Sequence, residues 1–414
     1  MSEQLINPMD NIAIQDACKI IQDHFPPART EILPVAEAAG QALAKDVLAR
    51  EASPRFDSSA MDGFAVKWMD IDGASQDKPA VLEMIGESKA GEPYTGTVNK
   101  GQAVRINTGA MLPKGANTVV PVELTSTEEN NVVINKSLEK GKFVRPAGSE
   151  FMRGDLLLKA GATLTPGCLG LLVSQGIAEV NVICRPRVSL VITGTELVPP
   201  DLTPMPGQVR DANSIILKSA LTISRATLGF HTRTGDNLNG IRQAINKAAE
   251  NADIVIVSGG VSVGPHDLVK AASLEAGFEK LFWGIKQKPG KPMYLAKRGH
   301  TLLFGLPGNM VSALNCYAYY IHPFLLQLGG KSHYLKKIGV VMTQSFHNTG
   351  DRTLFLRVQI EEKPGQTLAT PIPMQESHRL SSIGEAHGFI PANPGEKLDA
   401  QTSQTVTLYP WYRL

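Results

Sequence analysis

Between residues 183 and 330, short, predominantly apolar runs alternate with longer stretches of helical period. The apolar runs are VSLVI (188–192), DIVIV (253–257) and TLLFGL (301–306). Strands buried on both faces read this way, so the pattern predicts a doubly wound parallel sheet. Helices are expected at 214–228, 239–251, 265–276 and 309–328, each long enough for a right-handed crossover. Elsewhere the period changes. In residues 10–25, Ile12, Ala13, Ile20 and Ile21 recur at helical spacing until Pro26 and Pro27 stop the element, and a second helical run at 169–176 follows the breaker Thr165-Pro166-Gly167. From 51 to 140 the chain reads as strands and turns, with 81–85 and 132–134 as apolar strands. Past residue 335, Leu354, Leu356, Val358 and Ile360 alternate between turns at 348–350, 364–365 and 394–395. The expected organisation is a discontinuous helical domain (1–50 and 141–182), a β insertion domain (51–140), an α/β domain (183–330) and a C-terminal β domain (331–414).

A chain of 414 residues exceeds what one core serves, so several domains fit its length. Its 41 Lys and Arg against 39 Asp and Glu leave a formal charge of +2. Such a balance offers no global attraction to nucleic acid or an anionic membrane, and any affinity for anions must be local. Cys18, Cys168, Cys184 and Cys316 show no C-x-x-C spacing, which argues against a disulfide framework or a structural zinc. The N-terminus lacks a cationic start before an apolar core, and no run reaches the roughly 18 apolar residues of a membrane span. A reducing, cytoplasmic location is expected.

In an open parallel sheet, ligands bind beyond the carboxyl ends of the strands, so the residues after those three runs matter most. After the second run comes Ser258-Gly259-Gly260-Val261-Ser262-Val263-Gly264, where glycines let backbone N–H groups close on a phosphate. The segment is neither a Walker A loop nor a dinucleotide G-x-G-x-x-G, and an ordinary glycine-rich turn is the plain alternative. Glu196, Asp236 and Asp267 follow neighbouring elements. Two carboxylates about 5 Å apart repel by about 3 kcal/mol at an effective dielectric of about 20, so a cluster of them would hold a cation, with Mg²⁺ the natural choice beside a phosphate. Singly, each acid reads as a turn residue or a helix-dipole residue. Lys288-Pro289-Gly290-Lys291-Pro292 sets two cations on a stiffened turn suited to an oxyanion, and Gly305-Leu306-Pro307-Gly308-Asn309, with Ser312 beyond it, offers further donors. Cys168 and Cys316 lie in apolar helical text where thiols are buried and inert, so no covalent nucleophile stands out.

These loops, together with FDSSAMDGFA (56–65), RINTGAMLPKGANTVV (105–120), VRPAG (144–148), RPRVSLVITGTEL (185–197), SGGVSVG (258–264), KPGKP (288–292) and GLPGN (305–309), resemble the molybdopterin molybdenumtransferases, that is, the MoeA proteins and the gephyrin E domain. The resemblance spans nearly the whole chain. It implies the four-part subunit above, with a molybdopterin-binding α/β domain and a C-terminal β-barrel. It also implies Mg²⁺-dependent insertion of molybdate into adenylylated molybdopterin with release of AMP. A homodimer with an active site shared between subunits is implied too, as is transient contact with the molybdopterin adenylyltransferase and acceptor molybdoenzymes.

Carried over by position, Asp62 and Thr108 would reach across the dimer. Glu196, Asp236 and Asp267 would hold the metal, and the turn comprising Ser258, Gly259, Gly260, Ser262 and Gly264 would cradle the pterin phosphate. Lys288, Lys291, Pro292, Gly308, Asn309 and Ser312 would line the oxyanion site. Arg352, Arg357, Ser377 and Ser382 would face the cleft. Against the family pattern, Thr195 and Asn117 replace acids, Met310 replaces proline, Glu150 replaces Asp, and Gly284 replaces a lysine for which Lys286 can substitute. The alternatives are a non-catalytic scaffold that keeps the fold and an adenylyltransferase.

Overall fold

The computed structural model describes residues 10–262, 268–331 and 335–412. The chain divides into two compact units, one drawn from residues 1–33, 38–44 and 181–414 and the other from 34–37 and 45–180.

The larger unit is built on a seven-stranded sheet and its helices. In chain order the elements are β1 (Asp10–Ile12), α1 (Ile14–Asp23), β2 (Arg187–Thr193), α2 (Asn213–Ile223), β3 (Thr227–Thr234), α3 (Leu238–Ala249), β4 (Ile254–Ser258), α4 (Val269–Glu275) and β5 (Glu279–Ile285). There follow β6 (Gln287–Lys288), β7 (Tyr294–Arg298), β8 (Thr301–Leu306), α5 (Met310–Cys316), a π-helical segment (Tyr317–Ile321) and α6 (His322–Leu328). The sheet order is β1-β5-β7-β8-β4-β2-β3. Its strands are parallel except β7, which runs against both β5 and β8. Residues alternate between two cores, as both faces of a wound sheet require. Leu190 and Ile192 face α2, α5 and α6, whereas Val191, Val255 and Val257 face α3 and α4.

The N-terminal segment departs from the sequence expectation. Asp10–Ile12 are strand, not the first turn of a helix, and pair with Trp283 and Ile285 at the sheet edge. Ile14, Ala17 and Ile21 of α1 then bury themselves in the α/β core, so the stretch joins this unit and does not begin a separate helical domain. Within the seven-stranded sheet, β3, β5 and β7 were likewise not anticipated as strands.

Beyond α6, five strands close a barrel: β9 (Lys337–Met342), β10 (Thr353–Lys363), β11 (Gln366–Pro371), β12 (Gly388–Ala392) and β13 (Ser403–Leu408), in the order β10-β11-β9-β13-β12 with β12 returning to β10. Leu354, Leu356, Val358 and Ile360 fill its interior. The opposite face of β10 is buried too, because Phe355, with Phe389 and Tyr409, packs against the α/β core around Tyr319.

The smaller unit holds a six-stranded sheet ordered 125–128, 131–134, 80–88, 102–106, 63–66 and 118–121. Its core is formed by Phe64, Val66, Leu82, Val120, Val132 and Ile134. The helix Pro166–Ser174 starts where the breaker requires: Thr165 caps it by accepting from Cys168 N, and proline occupies the first turn.

Candidate functional site

Four parallel neighbours of the larger sheet end level with one another. Thr193 lies opposite Thr234, Ile192 opposite Ser258, and Ser258 opposite Leu306. Their following loops therefore meet at one edge. Gly259 and Gly260 turn the chain there with φ of +98° and +61°. A Cβ on Gly259 would stand 2.6 Å from the Thr193 carbonyl, so both the space and the backbone call for glycine. Asn213, at the start of α2, ties two of the loops together: its Nδ2 donates to Ser258 Oγ (2.9 Å) and to the Gly308 carbonyl (2.7 Å). Ser258 is thereby committed inside the protein, at 1% exposure.

A cavity of about 380 Å³ opens beside these loops. Its walls are Gly260–Ser262, the turn 288–292, residues 307–309, Ser312, Arg352 and Ser377. Among the described residues lining it stand three cations, Lys288, Lys291 and Arg352, and no carboxylate. Buried groups hold the lysine turn. Gln287 is fully buried; its Nε2 donates to the carbonyls of Pro289 (3.2 Å) and Gly290 (3.3 Å), while its Oε1 accepts from Tyr320. Gly290 has φ +93°, and a Cβ there would come 2.5 Å from Cys316 Sγ. β6 pairs in parallel with Thr353 and Leu354 of β10, which brings Arg352 to the same turn. Asn309 lines the cavity with its side chain already engaged, since Oδ1 accepts from Val311 N to cap α5.

The acidic residues sit on the loops after β2 and β3. Asp236 Oδ2 accepts from Thr195 N (3.0 Å) and Oγ1 (3.3 Å), and Asp236 N donates back to that hydroxyl (3.0 Å). Glu196 folds over Gly194, where a Cβ would lie 2.8 Å from its Oε2. Among the described residues no three His, Cys, Asp or Glu side chains gather as a metal-binding group. Asp267 and Gly264 lie outside the described residues.

In the smaller unit, Asp62 and Thr108 occupy the turns flanking the paired strands 63–66 and 102–106. Thr108 donates to Asp62 Oδ1 from both N (2.6 Å) and Oγ1 (2.9 Å). These bonds, the backbone one foremost, together with Arg105 hold the carboxyl below its usual range.

Two residues expected at the cleft are placed elsewhere. Arg357 is fully buried, because the face of β10 that carries it docks on the α/β core. Ser382 is 2% exposed, and its hydroxyl donates to the Arg379 carbonyl.

Three family profiles cover the chain: "MoeA N-terminal region (domain I and II)" at residues 12–176, "Probable molybdopterin binding domain" at 189–327 and "MoeA C-terminal region (domain IV)" at 339–411. A protein of Mycobacterium tuberculosis named molybdopterin molybdenumtransferase 2 is 32% identical over 91% of this chain and 94% of its own length. The molybdopterin molybdenumtransferase of Haemophilus influenzae is 34% identical over 94% and 95%. The chain belongs to the molybdopterin molybdenumtransferase family. A solved molybdopterin biosynthesis MoeA protein from Pyrococcus horikoshii superposes with a TM-score of 0.85 at 30% identity, covering 96% of this chain and 99% of that one. A second from the same organism gives 0.79 at 26%, covering 96% and 100%.

As a molybdopterin molybdenumtransferase family member, the chain has departures with local structural reasons. Gly284 adopts φ +79°, and a Cβ there would meet Asn11 Oδ1 at 2.8 Å, so the approach of β1 excludes a longer side chain. Thr195 donates its hydroxyl to Asp236, a bond that an ionised acid at this position could not give. Asn117 accepts from Trp68 N, and Glu150 accepts from Ser53 Oγ. Nothing in the structure explains Met310. Sequence reasoning missed Asn213 and Gln287, whose buried amides fix the loops; a polar residue inside otherwise apolar text was the available signal.

Proposed function

We propose that this chain transfers molybdate onto adenylylated molybdopterin and releases AMP. The observation that carries the reading is the cavity walled by Lys288, Lys291 and Arg352 with no carboxylate among its described residues. A unit cation about 4 Å from a unit anion contributes about 4 kcal/mol at an effective dielectric of about 20, so three of them suit a doubly charged oxyanion. Ser312 and Ser377 add hydroxyl donors to the cavity lining. Donors from the turn at Gly260–Ser262 would meet the phosphate-bearing end of the pterin, as glycine-rich turns do. The relatives' names supply the reaction class.

Glu196 and Asp236 offer oxygen donors on adjacent loops, a hard set that fits Mg²⁺ held by one or two carboxylates and substrate phosphates. They would hold the ion, which supplies neutralising charge to phosphate oxygens when bound. Lys288 and Lys291 orient the oxyanion, and the lysine charges oppose the negative charge that builds as the pyrophosphate link breaks. We place Asp62 and Thr108 in a substrate site shared within a homodimer. Product would pass by transient contact to acceptor molybdoenzymes, and substrate would arrive from the adenylyltransferase in the same way.

The test supplies purified protein with adenylylated molybdopterin, Mg²⁺ and molybdate. AMP should appear in proportion to molybdate consumed. Absence of AMP overturns the proposal, and product formation that demands ATP would assign adenylyl transfer in its place.

A further inference from the structure

Arg357 is the largest fully buried side chain of the described residues. Packing alone does not call for a guanidinium there. Its Nε and Nη1 are enclosed without hydrogen-bond partners, and the nearby Tyr409 hydroxyl is likewise unpartnered, arrangements that cost free energy. No carboxylate among the described residues pairs with it within 4 Å.

The hydrogen bonds Arg357 does make go to one loop. Its Nη2 donates to the carbonyls of Met374 and Glu376, both at 3.4 Å. Its backbone N donates to Gln375 Oε1 (3.0 Å), and Gln375 Nε2 donates back to the Arg357 carbonyl (3.0 Å) and to the Ile372 carbonyl (2.8 Å). Ile372 N also donates to the Arg357 carbonyl (3.0 Å). Thus residues 372–376 are clasped to the middle of β10 through side chain and backbone alike. The next residue, Ser377, lines the basic cavity.

We infer that Arg357 and Gln375 are positioning residues that set Ser377 against the oxyanion. The inference rests on the reading of that cavity as the oxyanion site. Arg357 contributes as the buried post and Gln375 as the latch. Without the latch, the segment from Pro373 onward has a freer choice of conformations, and the Ser377 hydroxyl must be ordered when the ligand binds.

The experiment is a double-mutant cycle in the full-length protein, with KM for molybdate and kcat read separately from AMP release. Gln375 is only half-buried, so Gln375→Ala is expected to fold and to raise KM about tenfold, the equivalent of about 1.4 kcal/mol, with little change in kcat. Arg357→Lys, which keeps the charge and loses the fork, should shift KM in the same direction. Combining Gln375→Ala with Ser377→Ala should be no worse than Ser377→Ala alone, because one route is being removed twice. Fully additive effects, or an unchanged KM in Gln375→Ala, overturn the clasp. Lys291→Ala separates the two readings: if it too leaves KM unchanged, the cavity assignment fails; if it raises KM while Gln375→Ala does not, only the clasp fails.

Discussion

The lysine turn and the two acidic loops leave the same sheet, but they are held in different ways. Lys288 and Lys291 stand on a turn fixed from behind by a fully buried amide, Gln287, which is itself bonded to Tyr320 on the π-helical segment. Asp236 is fixed from beside, by the neighbouring loop's Thr195, in a partly exposed setting. Charge placed by the core is preorganised and hard to move, whereas charge placed by a loop partner can be retuned by one substitution.

The largest effect should come from the anchored side. Lys291→Ala is expected to weaken molybdate binding about 100-fold, on the order of 3 kcal/mol for a charge-assisted contact at a partly solvated site, with calorimetry as the measurement. A loss of only a fewfold would mean that the turn's charge is solvated and that the contrast with the acidic loops is false.

The scaffold behind the lysines should also respond to acid. His322 opens α6, its Nδ1 lies 2.8 Å from Ser224 Oγ, and burial pushes its pKa down to about 4. The unfolded chain takes up this proton near pH 6.5 and the folded one only near 4, so stability is full at neutral pH and falls as pH drops through that window. The expected loss is on the order of 3 kcal/mol. Denaturant titrations at pH 7 and pH 4 measure it, and His322→Gln should remove that part of the slope.

The smallest effect belongs to the retunable side. Thr195→Asp adds a carboxylate beside Asp236 and removes the hydroxyl that pairs with it. Mg²⁺ required for half-maximal AMP release should fall about tenfold, a shift worth about 1.4 kcal/mol. If the requirement rises, the threonine clasp matters more than the charge count.

The legible parts of the fold were those whose burial leaves an uninterrupted signal. β2, β4 and β8 are covered on both faces and read directly as apolar runs. β3 forms the sheet edge and buries none of its residues fully, so nothing in FHTRT demanded a strand. The ends of β5 and β7 carry Lys280, Lys297 and Arg298, which hid two strands inside the expected α/β alternation. The helix expected at 309–328 is present but widens into a π turn at its centre. Asp10–Ile12 become strand only because β5 offers an edge, a fact that no three-residue window contains.

At the site, the lysines and glycines were readable because turn chemistry restricts both residue type and spacing. The residues that hold them were not. Gln287, Asn213 and Gln375 act through amides whose partners are distant in sequence. Arg357 was expected at the cleft from its position in the family pattern, and sequence could not tell that the face of β10 carrying it is covered. The cysteines divide: Cys316 is buried with its pKa pushed up to about 12, as expected of an inert thiol, while Cys168 is only half-buried in the first turn of its helix.

One short pairing bears on how this architecture can be cut or recombined. β6 runs alongside the start of β10, so the lysine that begins the turn is stitched by main-chain bonds to the barrel. A fragment that ends at residue 330 would keep both lysines yet lose the strand that braces them and the arginine next to it. The C-terminal barrel is therefore not an exchangeable appendage. Chimeras that trade barrels between relatives should retain oxyanion affinity only when the 287–288 and 353–354 segments come from the same parent.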